Sequence, residues 1–543
     1  MLIANCSLFP MAHIEIKKSR LAFIYFCIIA AFLTIIVRMV IIVVSGDKVK
    51  ISGIYDPRAA DKRANIYDRN DVLVATDLKT KSLYVSSVLV KNPQEIARGL
   101  ATIFSEISYA EILKKISDGK SSKQWILIRR NLTPNQVDQV ENMQMAGLLF
   151  EDDRIRVYPQ KSIASHFVGY VDLDRKGLAG MEMQYDRKLR KGEDLHLALD
   201  VRVQDILHDE LVIGMEEFRA KAAAGVVMDV NNGEILALSS LPSFDPNLQN
   251  EASPDQRFNR VTNGSYELGS VFKVLTNTMA FEKGLIKMTD IYNVRDPIKY
   301  GRFTIKDDHP VKDEMTVGEV FAYSSNIGTV KIAEKIGAEY QKEFLEKIGL
   351  LKKLDVEFPG LGRPMFPKTW REINLFTISY GHGIAITPLH LAMSVAAISN
   401  GGIMHDPSFL KLKEQPKGRR VIKESTSETM RLMLRKVAVE GTGRNANVEG
   451  YEVGGKTGTA NRAEYGGYNE RQTMASFVAV FPISEPKYLV YVIFDRPNYS
   501  FNTGGMVAAP VAGRVVKNIA PLLGVRPKPV SAEDAAATAA SHH

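Results

Sequence analysis

The chain has 543 residues, of which 45% are hydrophobic and 24% charged, and this composition excludes a disordered or fibrous protein. Its length indicates more than one globular domain. The formal net charge of +8 favours an anionic membrane surface or wall polymer as a partner.

An apolar run near the N-terminus predicts a membrane anchor. The run covers 21–44 and follows a Lys-Lys-Ser-Arg cluster at 17–20. A bilayer-spanning helix needs about 20 apolar residues, whereas the apolar region of a cleaved signal peptide has about 7–15. The basic cluster therefore predicts a cytoplasmic N-terminus over 1–20, an uncleaved transmembrane signal anchor over 21–45 and export of all that follows.

Both cysteines, Cys6 and Cys27, lie before or within that run, so the exported part has no thiol. It is therefore expected to have neither a disulfide nor a catalytic cysteine. Export also excludes nucleic acid as a partner.

The segment 46–199 contains no catalytic constellation and is predicted to be a non-catalytic α+β module. Its length is typical of one domain. The expected elements are short strands around a turn within 72–85, helices at 93–104 and 109–116, and strand or turn segments at 156–159 and 166–170.

The segment 200–525 is predicted to contain one antiparallel sheet packed by helices. An Asn-Asn-Gly turn at 231–233 indicates a β-hairpin. The expected elements are helices from Asp200, from Ser270 to Gly284 and from Asn326 to Gly337, and strands at 224–230, 234–238, 475–481 and 488–494. The remainder, 526–543, is predicted to be a disordered tail because it lacks a core pattern.

Ser270 and Lys273 are the expected nucleophile and base of this second domain. Apolar residues recur at helical spacing after Ser270, which places Lys273 one turn further along a buried helix. Residues three apart share a helix face, and a desolvated lysine amine can take a serine proton. The structural alternative is a helix cap at Ser270 with a surface lysine.

Two later motifs make this pair specific, since Ser-x-x-Lys alone recurs elsewhere in the chain. Ser324-Ser325-Asn326 and Lys456-Thr457-Gly458-Thr459 follow in the order found in penicillin-recognising serine acyl enzymes. Ser324 or Asn326 could instead serve only to cap the helix that starts there.

Two other interpretations of polar motifs are less favourable. The segment 450–457 matches the phosphate-loop pattern G-x-x-x-x-G-K-T, but neither a buried strand before it nor a helix after it is predicted. Asp307-Asp308-His309 resembles a set of metal ligands, yet three adjacent side chains rarely converge on one ion, and a solvated turn is expected. No metal or other cofactor is predicted.

Over about residues 20–525 the chain resembles the class B penicillin-binding proteins, the monofunctional peptidoglycan D,D-transpeptidases. Besides the three motifs, the shared positions include Arg63, Arg156, Glu182, the segment 232–234 and Tyr380-Gly381 with Gly383. The sequence Ser-Ser-Asn-Ile-Gly at 324–328 is more similar to the division-septum branch than to the elongation branch. Leu268, Ala64, His382 and His390 depart from the family pattern, and none of them removes a catalytic group.

The resemblance implies an α+β pedestal or dimerisation-type domain beneath a transpeptidase domain of the serine β-lactamase type. Ser270 would attack the penultimate D-alanine of a stem peptide, Lys273 would take the proton and Ser324 would relay it. The N–H groups of Ser270 and Thr459 would form an oxyanion hole. Asn326 would hold the stem peptide amide, and Lys456 would attract the terminal carboxylate, with Thr457, Gly458 and Thr459 forming the substrate-binding strand.

The resemblance further implies a serine-type D-Ala-D-Ala transpeptidase or carboxypeptidase, inhibited covalently by β-lactams, in septal wall synthesis. The partners would be stem peptides, the membrane, a membrane glycosyltransferase and other division proteins. The expected location is the bacterial inner membrane, with one span and the catalytic domain in the periplasm. The alternatives are an elongation-type enzyme, a β-lactamase or β-lactam sensor, and a non-enzymatic division scaffold.

Overall fold

The structure is a computed structural model that describes residues 26, 28–34, 36–37, 62–119, 125–301, 303–308, 310–464, 467–498 and 502–529. The chain forms two compact units, Met1–Ala60 and Asp61–His543. In the first unit the described residues, 26, 28–34 and 36–37, are helical. Among the residues described, no helix is long and apolar enough to cross a membrane. The rest of the predicted anchor 21–45 and the segment 1–20 lie outside the described residues.

The pedestal, residues 62–199, is built on a five-stranded sheet. Its order is β3-β2-β1-β5, and β4 pairs with the other side of β2. The strands are β1 (Ile66–Tyr67), β2 (Leu73–Ser86), β3 (Trp125–Leu132), β4 (Leu148–Val157) and β5 (Leu195–His196). The helices are α1 (Pro93–Ile103), α2 (Tyr109–Gly119), α3 (Pro134–Glu141), α4 (Ser165–Val168), α5 (Gly180–Gln184) and α6 (Asp186–Arg190), with a 3₁₀ turn at Lys161–Ala164.

Two details of the pedestal differ from the sequence-based expectation. The segment 72–85 contains no turn, since β2 is a single strand of 14 residues; no Gly or Pro stands in its middle to break it. The segment 166–170 is not a strand, because Ser165–Val168 forms one helical turn that ends at Gly169, with a φ of 80°. The helices at 93–104 and 109–116 are confirmed as α1 and α2.

A buried ion-pair network lies inside the pedestal. Arg63 Nε and Arg156 Nε each lie 2.7 Å from an oxygen of Glu182. Arg156 Nη1 also lies 3.2 Å from Asp77 Oδ1, and the backbone N–H of Arg63 donates to Asp77 Oδ2 at 2.9 Å. All four side chains are at most 2% exposed. Each buried guanidinium therefore has carboxylate partners, as burial of charge requires.

The second domain contains the predicted antiparallel sheet, with strand order β14-β15-β16-β6-β7. The sheet strands are β6 (Ala222–Asp229), β7 (Ile235–Leu241), β14 (Gly454–Glu464), β15 (Gly467–Phe481) and β16 (Tyr488–Asp495). Short strands outside it are β8 (Ile291–Asn293), β9 (Ile298–Tyr300), β10 (Phe303–Ile305), β11 (Glu314–Thr316), β12 (Ile403–Met404) and β13 (Arg419–Arg420).

Helices cover both faces of this sheet. They are α7 (Val201–Glu217), α8 (Pro254–Arg257), α9 (Lys273–Glu282), α10 (Val317–Ala322), α11 (Asn326–Ile336), α12 (Ala338–Lys347), α13 (Glu372–Ser379), α14 (Pro388–Ser399), α15 (Glu424–Val439) and α16 (Ala508–Leu522). Three 3₁₀ segments, Pro246–Glu251, Gly269–Phe272 and Arg444–Ala446, join them. The helices predicted from Asp200, Ser270 and Asn326 are therefore confirmed.

Strand alternation separates two cores in the second domain. Val227 and Phe477 pack with α7 and α16 on one face, whereas Val226 and Val478 pack with α9 and α14 on the other. This period-two pattern is what a sheet covered on both faces produces. The second core also contains Val271 of the 3₁₀ turn that carries Ser270, and Val274 and Leu275 of α9.

Polar contacts and backbone pairing join the pedestal to the second domain. Leu197, just after β5, forms an antiparallel bridge with Leu410 of the second domain, and Asp200 then caps α7. Arg69 Nη2 lies 3.2 Å from Glu234 Oε2, and Lys411 Nζ donates to the carbonyl of Arg69 at 2.9 Å.

The beginning of the predicted tail 526–543 belongs to the folded domain. Lys528 Nζ lies 2.7 Å from Glu452 Oε2, and the Lys528 N–H donates to Gly450 O at 2.8 Å. Residues 530–543 lie outside the described residues.

Candidate active site

Ser270 lies in the 3₁₀ turn Gly269–Phe272 that leads into α9, and it is half-buried. Gly269 has a φ of 59°, and a Cβ there would lie 2.3 Å from Thr459 O. Only glycine therefore allows the turn to approach β14 this closely. The turn that carries Ser270 rests directly on the strand that carries the Lys-Thr-Gly motif.

Gly381 brings a third segment against the same turn. A Cβ on Gly381 would lie 2.1 Å from Gly269 O, and Gly381 O accepts a hydrogen bond from Gly269 N at 3.3 Å. The ring of the neighbouring His382 packs against the ring of Tyr380 in a tilted arrangement, with the two ring centroids 5.2 Å apart. Burial lowers the pKa of His382, while Glu267 raises it and Lys273 lowers it further.

Lys273, the first residue of α9, is completely buried. Its Nζ donates to Ser324 O at 2.5 Å and to Asn326 Oδ1 at 2.7 Å, and it lies 3.1 Å from Ser324 Oγ. Burial lowers the pKa of Lys273 to about 7, against the opposing effect of Asp307 and Asp308. A neutral amine, which can accept a proton, is therefore well populated near neutral pH.

Ser324 joins the two lysines of the site. Its φ of 64° lies in the left-handed region, which is uncommon for a residue with a side chain. This backbone turn, between α10 and α11, directs Ser324 Oγ to within 3.1 Å of Lys273 Nζ and 2.9 Å of Lys456 Nζ. The hydroxyl can therefore exchange a proton with either amine.

Lys456 is also completely buried, in strand β14. Its Nζ lies 3.2 Å from Thr457 O and 3.3 Å from Thr457 Oγ1. Burial and repulsion by Lys273 hold the pKa of Lys456 well below its usual range. Because Lys456 stands inside an extended strand, it does not have the loop-to-helix geometry of a phosphate loop.

Thr457, Gly458 and Thr459 form the edge of the site. Thr457 Oγ1 lies 2.7 Å from Thr442 Oγ1, and Thr459 Oγ1 accepts from Gly504 N at 3.0 Å. A Cβ on Gly458 would lie 2.7 Å from Leu268 O, so glycine is needed where the strand passes the turn that carries Ser270. The Thr459 hydroxyl acts only as an acceptor here and retains its proton as a donor for a ligand, whereas Thr457 retains its proton only when Thr442 is the donor of their shared bond.

Asn326 is held more tightly than its expected role in substrate binding suggests. Its Oδ1 accepts a hydrogen bond from Lys273 Nζ, and its Nδ2 donates to Lys306 O at 3.1 Å. The amide keeps one lone pair and one N–H beyond these bonds. In this structure the Asn326 side chain therefore orients Lys273 Nζ.

Asp307 is the site residue that sequence reasoning missed. It is half-buried, and its Oδ1 accepts hydrogen bonds from the N–H groups of Asn326 at 2.6 Å and Ile327 at 3.0 Å. The expectation of a solvated turn is thus wrong for Asp307 but fits Asp308, which is exposed. His309 lies outside the described residues, and among those described no three His, Cys, Asp or Glu side chains are placed to hold a metal.

Two domain families match the chain. A family described as the penicillin-binding protein transpeptidase domain matches 223–517, and one described as the penicillin-binding protein dimerisation domain matches 59–195.

Curated relatives match over most of their length. The chain is 37% identical to a probable peptidoglycan D,D-transpeptidase FtsI of Caulobacter vibrioides, over 86% of this chain and 82% of that protein. It is 31% identical to the stage V sporulation protein D of Bacillus subtilis, over 86% and 79%, and 26% identical to FtsI of Escherichia coli K12, over 96% and 95%.

Among solved structures, penicillin-binding protein 3 of Mycobacterium tuberculosis, complexed with aztreonam, matches with a TM-score of 0.68. It is 23% identical and the match covers 86% of this chain and 97% of that one. The likeness shows a shared fold.

Proposed function

Because this chain belongs to the class B penicillin-binding proteins, in the group that contains the FtsI-type peptidoglycan D,D-transpeptidases, we propose that it crosslinks stem peptides through an acyl-enzyme at Ser270. The observation that carries the assignment of residues is the shared hydroxyl of Ser324, which contacts two fully buried lysines beside the nucleophile turn. A structural cluster would pair such cations with carboxylates.

In the first half-reaction, Ser270 Oγ attacks the carbonyl carbon of the penultimate D-alanine and its proton passes to neutral Lys273. The C–N bond to the terminal D-alanine breaks, and the departing nitrogen receives a proton through Ser324. Lys273 and Lys456 both border Ser324 Oγ, so either amine can restore the proton that Ser324 gives up. The products are a serine ester and free D-alanine.

In the second half-reaction, the amine of another stem peptide attacks the ester and releases Ser270 with its proton. Water in place of the amine gives D-Ala-D-Ala carboxypeptidase activity, which we include as a side reaction. The N–H groups of Ser270 and Thr459 would stabilise the oxyanion of both steps. The close contact of Gly269 with Thr459 O supports this pairing.

Substrate orientation would fall to the strand beside the nucleophile. The hydroxyls of Thr457 and Thr459 would donate to the terminal carboxylate of the donor peptide or of a β-lactam. Lys456 lies beneath them without exposure, so it would attract that carboxylate through its charge rather than by direct contact. The remaining N–H of Asn326 would hold the stem peptide amide.

A direct test uses the purified full chain in detergent, a D-Ala-D-Ala stem peptide and a labelled D-amino acid as acceptor. Exchange of the terminal D-alanine for the label, with no exchange by Ser270→Ala, is expected. Label exchange by Ser270→Ala would contradict the assignment of the nucleophile. Absence of exchange and of penicillin acylation in the unaltered chain would favour a non-enzymatic scaffold, and rapid turnover of penicillin would favour a β-lactamase.

We further propose a single-pass inner-membrane location, with the catalytic domain in the periplasm. The apolar run 21–44 after a basic cluster supports this topology. Protease added to spheroplasts should digest all but an N-terminal fragment. A chain of full length after that treatment would contradict it.

The septal role is the cellular part of the proposal, with a membrane glycosyltransferase and other division proteins as partners. The similarity to FtsI proteins supports it. Depletion should give long filaments with unfinished septa. Rounded cells that still divide would instead place the protein in elongation.

A further inference from the structure

Asp307 reaches the start of α11 from a distant part of the chain. It follows strand β10, and its Oδ1 accepts from the first two N–H groups of that helix, those of Asn326 and Ile327. Ser325 Oγ accepts from the third, Gly328 N, at 3.0 Å. The first N–H groups of a helix have no partner within it. Ser325 therefore accepts from one of these N–H groups within the same segment. Asp307 accepts from the other two, which lie closest in sequence to Ser324.

The same short segment also fixes the side chain of Asn326. Lys306 O accepts from Asn326 Nδ2, while Asp307 accepts from Asn326 N. These bonds leave Asn326 Oδ1 directed at Lys273 Nζ, 2.7 Å away. Ser324 lies two residues before Asn326 and has a left-handed backbone conformation just before this helix begins. The position of both catalytic motif residues therefore depends on 306–307.

The negative charge of the Asp307 carboxylate also acts on Lys273. The titratable groups around Lys273 are Lys456, His382, Asp307 and Asp308. The two aspartates raise the pKa of Lys273, whereas the charge of Lys273 lowers the pKa of Lys456 and of His382. Asp307 is half-buried and Asp308 is exposed, so solvent screens Asp308 more. Asp307 is therefore the main negative charge acting on the base.

We propose that Asp307 is a positioning residue of the transpeptidase site: its carboxylate fixes the helix start that carries Ser324 and Asn326, and it presents a negative charge to Lys273. This inference rests on the proposed function. An ordinary helix cap would contribute stability alone, typically about 1 kcal/mol. The pH dependence of acylation separates the two roles.

The experiment measures the rate of penicillin acylation of the full chain from pH 5.5 to 9 for Asp307→Asn, Asp307→Ala and Asp308→Asn. Asp307→Asn keeps an oxygen that can accept both N–H groups but removes the charge. Because an opposite charge favours protonated lysine, its loss should move the acid limb of the profile to lower pH by about one unit. Asp308→Asn, the matched control, should shift the limb less and keep the plateau rate.

Asp307→Ala also removes the acceptor and leaves two N–H groups without it. The plateau rate should fall about 10-fold or more, because misplacement of Ser324 and Asn326 acts on the chemical step. A thermal melt of each variant gives the fraction of protein that is folded at the assay temperature. The acylation rates are then compared per folded molecule.

Two results would overturn the inference. If Asp307→Asn has the profile of the unaltered chain and Asp307→Ala keeps the plateau rate with a lower melting temperature, Asp307 is a stabilising cap and nothing more. If the unaltered chain is not acylated at any pH, the proposed function fails, and the inference fails with it.

Discussion

The pedestal and the active site each bury a cluster of charge, and they do so in opposite ways. In the pedestal, Arg63 and Arg156 are bonded to Glu182 and Asp77, so every charge has an opposite partner. In the site, Lys273 and Lys456 share the hydroxyl of Ser324, and within the described residues no carboxylate is bonded to either amine. Asp307 acts on Lys273 only through its field.

The difference teaches how one chain uses burial for two purposes. Paired charges remain charged, and removal of one partner leaves an uncompensated ion in the interior. Burial without a bonded carboxylate disfavours the charged form of a lysine and lowers its pKa, which for Lys273 gives a base near neutral pH. Removal of a charge from the pedestal should therefore affect stability, whereas removal from the site should affect rate.

The largest expected effect is on rate. Lys273→Ala should lower the rate of penicillin acylation about 10³-fold, because it removes the proposed proton acceptor of Ser270. Lys283→Ala, which changes an exposed lysine just after the same helix, is the matched control and should leave the rate unchanged. Stopped-flow measurement with a reporter β-lactam gives both rates. An Lys273→Ala rate within threefold of the original would remove the lysine from the chemistry.

The next effect is on stability. Arg156→Ala should lower the free energy of unfolding by about 3–5 kcal/mol, because it leaves Glu182 and Asp77 buried with one fewer cation. Arg190→Ala, which breaks the more exposed pair with Asp186, should cost less than about 1 kcal/mol. Denaturant titration measures the difference.

Acylation by the folded fraction of Arg156→Ala should be unchanged. A rate loss at temperatures where this variant is fully folded would show that the two clusters are coupled, and the comparison between them would not hold.

A smaller effect is expected from the edge of the site. Thr459→Val keeps the shape of the side chain but removes the hydroxyl that would donate to the carboxylate of the ligand. A hydrogen bond to a charged group is typically worth about 1.5–3 kcal/mol, so acylation at low drug concentration should fall about 10- to 100-fold. Thr429→Val, at a half-buried threonine of α15 whose hydroxyl bonds only to Ser425 O of the same helix, should have no effect. Equal rates for the two variants would exclude Thr459 from ligand binding.

The smallest effect is on pH dependence. With a pKa of about 7 for Lys273, the neutral fraction rises about tenfold between pH 6 and pH 8, and the acylation rate should rise with it. A profile that is flat across this range would contradict a titrating base.

The same group should also influence stability with a definite sign. Its pKa is lower folded than unfolded, so between about pH 7 and the unfolded value the unfolded chain binds more protons. The contribution of Lys273 to the free energy of unfolding therefore rises with pH in that interval. Melting of the unaltered chain and of Lys273→Met at pH 7 and pH 9 should differ in this direction, and an equal change in both would assign the effect to other groups.

Local patterns in the sequence predicted the parts of the molecule that depend on neighbouring residues. The helix after Ser270, the helix after Asn326 and the hairpin at 231–233 follow from apolar period and turn residues, and all three are present. The segments 72–85 and 166–170 were mispredicted because polar residues within a long strand and a single helical turn have no clear period. In such segments the secondary structure depends on tertiary contacts, such as the pairing of β2 with β4.

The role of Asp307 could not be predicted from one sequence. Its bonds to Asn326 and Ile327 span 19 and 20 residues, across one short strand and one helix. Spacing alone indicates nothing about such a contact. In the same way, the motifs predicted that Lys273 and Lys456 belong to one site, but not that both amines contact one hydroxyl.

The most direct test of the account is the intact mass of the full chain after incubation with a penicillin. The account predicts an increase by the mass of one drug molecule, with the adduct located by peptide mapping on Ser270 and no adduct on Ser270→Ala. An adduct on Ser270→Ala, or a modified peptide that lacks Ser270 in the unaltered chain, would contradict it.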